Sequence, residues 1–441
     1  MADYYSSPRI SSEFMDCSLP LTFDTDSKCM FKCSYCFASY QKDNNPSLKG
    51  KPAVTNPINF NHFEKLMRGK IPDNAYYKNF IRHRFPLHAG GLSDMFSPFS
   101  IKDDTSLKVI KLMAELNYPF IISSKGTMMA QGEYLEVFKK AAPNKNFIFQ
   151  FSIITNNQEK DNILSAGCPS IDERFKAMKI LSDLGYWCVL RLRPFIIGAS
   201  DDGLEELFKK ASEHGAKALS TEFYCYDCRV TGKGLKMYDE ISKIVGFNIK
   251  EYFKKLSPQE RGGYMRLNRD VKESYVKRMW KLCKQYNMQF NCSDPDFKEL
   301  NQSGSCCGIP ASKEIYNSDC VNWSRGQLTY MVSELLKRYL AGEKELYLKL
   351  EDVQSLVPND WQSDCKYWGD SLKCWASDVC NKGMNHKAEF IQVWNNTRSA
   401  SNPYNYFMGM LFPFKLDKNN NIIYKFVPPA YIKNWRKEGL L

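Results

Sequence analysis

The stretch KCMFKCSYCF, residues 28–37, contains three cysteines, Cys29, Cys33 and Cys36, within eight positions. It directly follows Leu19–Asp24, a short apolar segment that predicts a β-strand. Three thiolates this close together on one loop can each bind one iron of a [4Fe–4S] cluster and leave the fourth iron without a protein ligand. An open coordination position of this kind is a site for catalysis or for substrate. The alternatives are a zinc site without a nearby fourth ligand and three unrelated core cysteines.

Between about residues 19 and 225, short apolar segments alternate with helical patterns. The predicted strands are Leu19–Asp24, Phe85–Ala89, Phe120–Ser124, Phe147–Ile154, Cys188–Ile197 and Ala218–Tyr224. Their apolar residues mostly run without alternation, which is typical of parallel strands buried on both faces. Helices with one apolar side are predicted at Ser106–Leu116, Ile171–Leu184 and Leu204–Ser212. The repeated strand–helix order predicts an α/β fold with parallel strands in an open or partial barrel.

The helical periodicity also predicts details inside these elements. In the second of the three helices, the side chains predicted to face the core are Phe175, Met178, Ile180 and Leu181. Gly185 and Gly215 each stand just past a helix, where a left-handed C-cap is expected.

After about residue 235 the regular alternation fades. Helices are predicted at Asp270–Tyr286 and Gln327–Tyr339, on either side of a Cys-rich segment from Cys292 to Cys320. We therefore predict an N-terminal extension at residues 1–18, a barrel at 19–235, a mainly helical Cys-rich extension at 236–345 and a small aromatic and Cys-rich lobe at 346–441.

The composition of the 441 residues, with 43% hydrophobic and 25% charged side chains, excludes a disordered or collagen-like protein. A net charge of +12 permits a polyanionic partner without requiring one. The first residues lack a secretion signal, and no apolar run approaches the ~18–20 residues that cross a bilayer, so we expect a cytoplasmic protein without membrane contact. Sixteen cysteines in a reducing compartment are more often metal ligands or buried side chains than disulfides.

The cysteine signature resembles that of the radical S-adenosylmethionine (SAM) superfamily, with three and then two residues between the cysteines and an aromatic residue, Tyr35, before the last. The resemblance implies an enzyme with a partial (β/α)6 barrel over roughly residues 19–225. It also implies that Cys29, Cys33 and Cys36 hold a [4Fe–4S] cluster, that SAM binds the open iron near Tyr35, and that a donor such as flavodoxin or ferredoxin supplies electrons. In that family SAM is cleaved to a 5′-deoxyadenosyl radical, which abstracts hydrogen from the substrate.

Four further stretches, HAGGLSDMF, ISSKG, FQFSIIT and RLRPFIIG, resemble the spore-photoproduct-lyase-like branch of the superfamily. This resemblance implies that SAM is surrounded by Ser93, Asp94, Lys125 and Ser152. Lys125, at the carboxyl end of a strand, could pair with the SAM carboxylate, and Ser93 or Ser152 could bind its ribose or amino group.

Several of these positions have alternatives. Gly90 and Gly91 would allow close approach of the cofactor, or they simply form a turn. Ser93 could instead be the N-cap of a helix. Arg193 could reach SAM or the substrate, whereas Arg191 and Arg193 could equally form structural ion pairs.

Gly91 marks a departure from true spore photoproduct lyases, which have a hydrogen-donating Cys two residues before the Ser-Asp pair. We therefore predict modification or rearrangement of a substrate and not repair of a thymine dimer.

The later cysteines permit a second, auxiliary cluster. The preferred ligands are Cys292, Cys306, Cys307 and Cys320; Cys225 and Cys228 form a CxxC pair, and Cys365, Cys374 and Cys380 follow. The alternative is that several of them are buried small side chains. One of these thiols, or a tyrosine such as Tyr224 or Tyr226, could donate hydrogen to the product radical.

Arg261–Lys284 carries eight basic and two acidic residues interleaved with aromatics, a pattern that suits phosphate contact and base stacking but also an ordinary solvated helix face. The resemblance to the spore-photoproduct-lyase-like branch also favours nucleic acid, and we therefore expect a base or base adduct in DNA or RNA as the substrate, flipped out if it is in a duplex. The alternatives are a radical SAM enzyme acting on a peptide or small metabolite, with an auxiliary cluster, and a non-catalytic metal-bearing nucleic-acid-binding protein.

Overall fold

The structure is a computed structural model of the chain. It describes residues 8–10, 19, 21–38, 57–70, 81, 84–100, 103–257, 260–261, 263–311, 328–354, 390–399 and 402–441. The chain divides into two compact units, one formed by residues 1–7, 23–64 and 88–290 and the other by residues 8–22, 65–87 and 291–441. The four-part division made from the sequence stays a prediction.

A mixed α/β architecture is built on one central sheet. Its six main strands, adjacent in chain order, are β1 (Leu21–Phe23), β2 (Leu87–Ala89), β3 (Phe120–Ser124), β4 (Phe147–Ser152), β5 (Trp187–Phe195) and β6 (Ala216–Phe223). The pairs β3–β4, β4–β5 and β5–β6 are parallel. Arg9–Ile10 adds a short antiparallel strand beside β1. The α/β prediction with parallel strands is confirmed.

One face of the sheet is apolar and packs on helices. In β4, Phe147 and Phe149 alternate with residues of the other face, and both are fully buried. Their rings meet Phe138 of the helix Gly132–Ala141 at centroid distances of 5.1 and 4.9 Å, edge to face. Burial of these aromatic side chains fixes the register of the sheet on this face.

Helices follow the strands. The helix α1 (Phe60–Met67) extends past residue 64, where a segment of the first unit ends. The first unit contains α2 (Thr105–Glu115), α3 (Gly132–Ala141), α4 (Gln158–Leu164), α5 (Ile171–Asp183), α6 (Leu204–Glu213), α7 (Leu235–Val245), α8 (Ile249–Leu256) and α9 (Arg269–Gln285). A capping box starts α5, where Ser170 and Glu173 satisfy each other's backbone N–H groups. Gly185 and Gly215, at φ 88° and 89°, confirm the predicted C-caps.

One prediction about α5 is wrong. Phe175, Met178 and Leu181 are buried, but Ile180 is 40% exposed. Ile180 lies one position from Leu181, and a helix turns adjacent positions about 100° apart, so Ile180 falls outside the stripe that faces the core.

Short strands complete the first unit. Tyr226–Asp227, Tyr264–Met265 and Glu260–Arg261 form an antiparallel sheet, and Lys32–Cys33 pairs with Ser165–Ala166. Single 3-10 turns lie at Met128–Ala130, Ala142–Asn144 and Gly232–Gly234.

The second unit combines helices with a three-stranded antiparallel sheet. Its helices are α10 (Leu328–Leu340), α11 (Leu350–Gln354), α12 (Phe390–Asn395), α13 (Pro403–Tyr406) and α14 (Ala430–Lys437), with a 3-10 segment at Pro295–Leu300. The sheet contains Tyr347–Leu348, Ile422–Phe426 and Leu411–Leu416. Trp394 and Trp435 are fully buried, so these two tryptophans belong to the core of the unit.

None of the helices in the described part of the chain is long and apolar enough to span a membrane.

Candidate functional site

The carboxyl end of β1 is tied to the loop that follows β2. Asp24 comes directly after β1 and is 2% exposed. Its Oδ1 accepts hydrogen bonds from the backbone N–H groups of Leu92 and Ser93, at 2.9 and 2.8 Å. Sequence analysis missed this role, because it made Asp24 the last residue of the predicted strand Leu19–Asp24, although an acidic residue at the end of an apolar strand was a signal for it. Asp24 therefore fixes the position of the Ser93–Asp94 pair.

Asp94 connects the same loop to the end of β3. Its Oδ1 accepts from the Ser124 hydroxyl at 2.7 Å and from the backbone N–H of Phe96, and its Oδ2 accepts from the backbone N–H of Lys125 at 2.7 Å. Burial raises the pKa of the Asp94 carboxyl, and these donors oppose the rise. The carboxyl group thus holds two predicted site segments together.

Lys125 lies at the centre of the predicted cofactor residues. Its Nζ donates to the carbonyl oxygen of Ser152 at 3.2 Å and to Ser165 Oγ at 3.0 Å. It also lies 5.4 Å from the ring centre of Tyr35. Burial lowers the pKa of the ammonium group, which is 7% exposed. The structure therefore brings together Tyr35, Lys125 and Ser152.

The cysteine loop is anchored to the chain that follows α4. Lys32–Cys33 pairs antiparallel with Ser165–Ala166, and the N–H of Ser34 donates to the carbonyl of Leu164 at 3.0 Å. These bonds hold the loop beside Ser165, which also contacts Lys125.

Cys168 is a neighbour of the loop that no sequence signal revealed. Its sulfur lies 3.9 Å from that of Cys33, although the two residues are 135 positions apart. The hydrogen bond from Cys168, helped by the charge of Lys125, lowers the pKa of Cys33 to about 7 against the opposing effect of burial. Burial instead raises the pKa of Cys29 well above its usual value.

Three half-buried thiols, Cys29, Cys33 and Cys36, thus share one loop. Within the described residues, no three His, Cys, Asp or Glu side chains are close enough to share a single metal ion. A four-iron cluster has a different requirement, because each thiolate binds a different iron and the ligands surround the cluster without meeting at one point. Three thiols on one loop with a nearby ammonium group are chemically suited to such a cluster and to a bound carboxylate.

Ser93 has a hydroxyl that fits a ligand-binding role. Its Oγ is buried and has no hydrogen-bond partner within the described part of the chain. Buried hydroxyls are nearly always satisfied, so this one has capacity for a hydrogen bond with a group outside the described residues. The N-cap interpretation of Ser93 is wrong, because residues 94–97 form a turn, closed by Ser97 N–H on the Asp94 carbonyl at 3.0 Å, and no helix begins there.

Gly90 is required by the protein's own packing. It has φ 95°, and a Cβ atom there would lie 2.2 Å from the carbonyl oxygen of Ser123 in β3. The tight approach between β2 and β3 therefore explains this glycine. A role of Gly90 or Gly91 beside a cofactor stays a prediction.

Solved structures show which known folds this chain is similar to. A mutant of spore photoproduct lyase matches 62% of this chain and 76% of its own, with 17% identity and a TM-score of 0.46. A mutant of the same enzyme with bound AdoMet and dinucleoside spore photoproduct matches 64% and 79%, with 18% identity and a TM-score of 0.46. SuiB of Streptococcus suis bound to S-adenosylmethionine matches 63% and 51%, with 16% identity and a TM-score of 0.36.

Spore photoproduct lyase and SuiB are both radical SAM enzymes, the superfamily that the cysteine signature of this sequence resembles. No protein-family model matches the sequence, and no curated protein matches it. The function proposed below therefore rests on the residues of this chain.

A buried ion pair supports the predicted residue Ser152. Arg174 of α5 is fully buried and pairs with Asp161 of α4. Its Nη1 donates to the carbonyl of Ser152 at 2.9 Å, so this carbonyl accepts from both Arg174 and Lys125. Sequence analysis missed the pair, because an arginine in an amphipathic helix normally indicates the solvent side.

Arg193 forms an ion pair, which is one of the two roles that the sequence analysis gave as alternatives for it. Its guanidinium group binds the Glu222 carboxylate, with Nε to Oε2 at 3.1 Å. The side chains are 17% and 33% exposed, so the pair is reachable from solvent. Binding of SAM by Arg193 stays a prediction.

Tyr224, the predicted hydrogen donor, follows β6 and is 8% exposed. Its hydroxyl lies 3.9 Å from the sulfur of Met237, and its ring packs against Phe253. Tyr224 also lines a small apolar cavity with Phe195 and Leu267. Its catalytic role is untested.

The candidates for an auxiliary cluster are only partly described. Cys292 and Cys307 are buried, and the sulfur atoms of Cys306 and Cys307 lie 3.9 Å apart. Cys225 and Cys228 are half-buried. Cys320 lies outside the described residues, as do Cys365, Cys374 and Cys380. The auxiliary cluster therefore stays a prediction.

The predicted basic segment contains helix α9. Arg278, Lys281 and Lys284 are exposed on it, whereas Lys272 is 1% exposed and lies 6.0 Å from the ring of Phe223. The helix thus presents a basic face to solvent, but at least one of its lysines belongs to the core.

Proposed function

We propose that this chain is a radical SAM enzyme that uses a [4Fe–4S] cluster held by Cys29, Cys33 and Cys36. The observation that carries the proposal is the arrangement of these thiols on a loop anchored beside Lys125. Bound there, a reduced cluster with SAM would supply a 5′-deoxyadenosyl radical for hydrogen abstraction from a substrate.

The residues of the chain have distinct parts in this proposal. Lys125, held by the carbonyl of Ser152 and the hydroxyl of Ser165, offers a fixed positive charge to the carboxylate of SAM. Ser93 offers the buried hydroxyl that lacks a partner in the described residues. Asp94 keeps the two segments in place and is a positioning residue. Burial of the site excludes water from a reactive radical.

We propose a base in DNA or RNA as the substrate, to be modified or rearranged. The net charge of +12 and the exposed basic residues Arg278, Lys281 and Lys284 of α9 support a polyanionic partner. Gly91, at the position of the lyase's donor thiol, favours an outcome other than photoproduct repair.

Anaerobic measurement of iron, sulfide and SAM cleavage tests the proposal. We expect about four irons per chain for one catalytic cluster and about eight if an auxiliary cluster is present. Replacement of Cys29, Cys33 and Cys36 together by Ala should remove about four irons and all 5′-deoxyadenosine formation. SAM cleavage that survives this triple replacement contradicts the proposal.

The substrate class needs a separate measurement. Retention on single-stranded DNA or RNA should fall steeply with salt, because phosphate contacts release counterions. The variant Arg278→Gln/Lys281→Gln/Lys284→Gln should weaken retention without changing SAM cleavage in the absence of substrate. Retention that is insensitive to salt and to this variant favours a peptide or small-metabolite substrate.

A further inference from the structure

Two cysteines from distant parts of the chain meet at the cysteine loop. The sulfur atom of Cys33 lies 3.9 Å from that of Cys168, although 135 positions separate the two residues. A thiol is a weak hydrogen-bond donor and a weak acceptor, so a hydrogen bond between the two contributes little to the fold. The more important chemical property of the pair is that its two thiols are close enough to react with each other.

The backbone brings these two thiols together. Cys33 is paired in register with Ser165 in the short antiparallel ladder. The N–H of Cys168 donates to the carbonyl of Ser165 at 3.0 Å, which closes a turn through Gly167 at φ 80°. A turn of this kind holds its first and last Cα atoms within about 7 Å of each other. The turn therefore folds Cys168 back toward the residue that pairs with Cys33.

A second pair of cysteines shows why the placement of the backbone matters. The sulfur atoms of Cys306 and Cys307 also lie 3.9 Å apart, but these residues are adjacent in the chain. Adjacent Cα atoms are about 3.8 Å apart, which is below the range of roughly 4.4–6.8 Å that disulfides occupy. Cys33 and Cys168 belong to different segments of the chain, so their Cα atoms are not subject to this restriction.

Both thiols of the pair are within reach of a small reagent. Cys33 and Cys168 are half-buried, whereas Cys188 and Cys283 are buried. A disulfide bond is about 2 Å long, so the two sulfur atoms need to approach by about 2 Å. Rotation of the two side chains between their rotamers supplies a movement of this size without a change in the backbone.

We infer that Cys33 and Cys168 form a reversible disulfide in the iron-free chain when a low-molecular-weight disulfide is present. One protein thiolate attacks a sulfur atom of the small disulfide, forms a mixed disulfide and expels the first small thiol. The other protein thiolate then attacks the protein sulfur of the mixed disulfide and expels the second small thiol. The chain loses two electrons, the small disulfide gains them, and the two protons of the protein thiols end on the two released thiols.

Formation of this disulfide removes Cys33 from the proposed iron ligands. Only this consequence rests on the proposed function, because the bond itself needs no metal. A cross-linked chain should not hold a cluster until a thiol reductant releases Cys33. The disulfide also keeps the Cys33 sulfur in a form that reduction restores, whereas oxidation to sulfinic or sulfonic acid would destroy it as a ligand.

Disulfide mapping in the full chain tests this inference. The iron-loaded protein is treated with an iron chelator and oxidised glutathione, then alkylated and digested with trypsin. We expect a link between the peptides of residues 33–42 and 161–174, which contain Cys33 and Cys168. The link should be absent when the chelator is omitted, because iron then occupies Cys33. Reduction should break the link, and the chain should then take up about four irons again.

Cys36 needs its own control, because it shares the peptide of residues 33–42 and competes for Cys33. In iron-free Cys36→Ser the link to residues 161–174 should persist, and in Cys36→Ser/Cys168→Ala it should be lost. Cys188→Ala is the matched control and should leave the link unchanged, since Cys188 is buried in β5. In denaturant the link to Cys168 should fall on the order of a hundredfold relative to Cys33–Cys36, because closure over 135 positions is far less probable than closure between near neighbours.

Two outcomes overturn the inference. The first is a folded, iron-free wild type in which Cys33 is bonded to Cys36 or retains glutathione while Cys168 stays a free thiol. The second is a link to Cys168 that forms equally well in the denatured chain. A protein that forms the link but never holds iron would count against the proposed function and leave the disulfide standing. A protein that holds about four irons but forms no link after their removal would count against the disulfide alone.

Discussion

Two cysteine-containing regions of this molecule are built on opposite principles. The cysteine loop, residues 29–36, is held by backbone hydrogen bonds to a distant part of the chain, Leu164–Ala166. Its Tyr35 lies beside the ammonium group of Lys125, and its thiols are half-buried. The segment 291–307 of the second unit contains Cys292, Cys306 and Cys307. Its polar side chains are almost all buried, and they bind mainly its own backbone.

In the second region, side-chain amides bind the backbone groups of a buried loop. Asn301 Oδ1 accepts from the N–H of Cys292 at 2.7 Å, and Asn301 Nδ2 donates to the carbonyls of Cys292 and Lys298 at 2.9 and 2.8 Å. Asn291 similarly donates to Ser303 and to the carbonyl of Ser305. These amides replace the hydrogen bonds of regular secondary structure.

The comparison shows that the number of cysteines does not by itself distinguish a candidate cluster-binding loop from a structural segment. In the cysteine loop, the surrounding groups include a buried ammonium ion, Lys125, and a hydroxyl without a partner in the described residues, Ser93. The segment 291–307 also has a buried ammonium group, but that of Lys298 donates to the hydroxyl of Tyr406, and the amide of Asn301 is engaged with the backbone of the segment itself. The first arrangement suits a bound group, and the second suits a stable fold.

The largest effect is expected from single replacements in the loop. Cys29→Ala, Cys33→Ala and Cys36→Ala should each abolish 5′-deoxyadenosine formation, because a cluster with two thiolate ligands is not retained in an active form. Cys307→Ala should keep full SAM cleavage. Iron, sulfide and 5′-deoxyadenosine are measured together. If Cys307→Ala also lost about four irons, the two regions would both be ligand sites and the comparison would fail.

A large effect on stability, without one on SAM cleavage, is expected in the segment 291–307. Asn301→Ala leaves the backbone groups of Cys292 without partners and should lower the free energy of unfolding by about 2–4 kcal/mol. Asn301→Asp keeps the acceptor but places a buried carboxylate oxygen against the two carbonyls to which the amide donates, so its loss should be at least as large. Denaturant unfolding measures the stability. Loss of SAM cleavage at temperatures where the variant is folded would argue against a structural role.

An intermediate effect is expected at the ammonium group. Lys125→Met should weaken SAM binding about tenfold to hundredfold, because one charge-assisted contact with the SAM carboxylate is lost. The iron content should stay unchanged. Equilibrium dialysis with SAM gives the affinity. An unchanged affinity would remove Lys125 from the cofactor site, and a loss of iron would make it a structural support of the loop.

The smallest effect is expected on the loss of stability at low pH, to which His88 of the first unit contributes. His88 has a pKa of about 3 in the folded chain against 6.5 as its ordinary value. Between these values the unfolded chain binds a proton that the folded chain does not, so stability falls as the pH is lowered. His88→Gln keeps an N–H donor and removes the titration, and should reduce the loss between pH 7 and pH 5 by about 1–2 kcal/mol.

A variant in the segment 291–307 is the control for this measurement. The destabilisation by Asn301→Ala should be the same at pH 7 and pH 5, because the amide does not titrate. Unfolding curves of both variants at the two pH values are compared with the wild type. A loss of stability in acid that His88→Gln leaves unchanged would mean that other groups cause it.

Much of the central sheet was predictable, because strands buried on both faces are continuous apolar runs in the sequence. The predicted bounds of β3, Phe120–Ser124, agree with the structure at both ends. A family resemblance predicted that Tyr35, Lys125 and Ser152 are neighbours. The geometry of the sheet supports the closeness of Lys125 and Ser152, because the carboxyl ends of parallel strands lie at one edge.

The missed contacts join side chains to groups outside their own helix or turn. Cys168 follows α4 and lies 135 positions from Cys33, whereas Arg174 lies within α5 and binds Asp161 of α4 and the carbonyl of Ser152 in β4. A sequence pattern reports the burial of a side chain, but it does not report which distant group the side chain meets. The prediction that Ile180 faces the core was wrong for a different reason. Helical periodicity does not define the edge of an apolar stripe.

The pairing of Lys32–Cys33 with Ser165–Ala166 has a consequence for biogenesis. During synthesis the cysteines emerge first, and more than a hundred residues follow before their partner strand leaves the ribosome. Until then the loop lacks this pairing partner, which also carries the Ser165 hydroxyl that binds Lys125. Iron delivered to the nascent chain would meet unanchored thiols. The anchored form of the cysteine loop therefore exists only after the chain has been synthesised beyond Ala166.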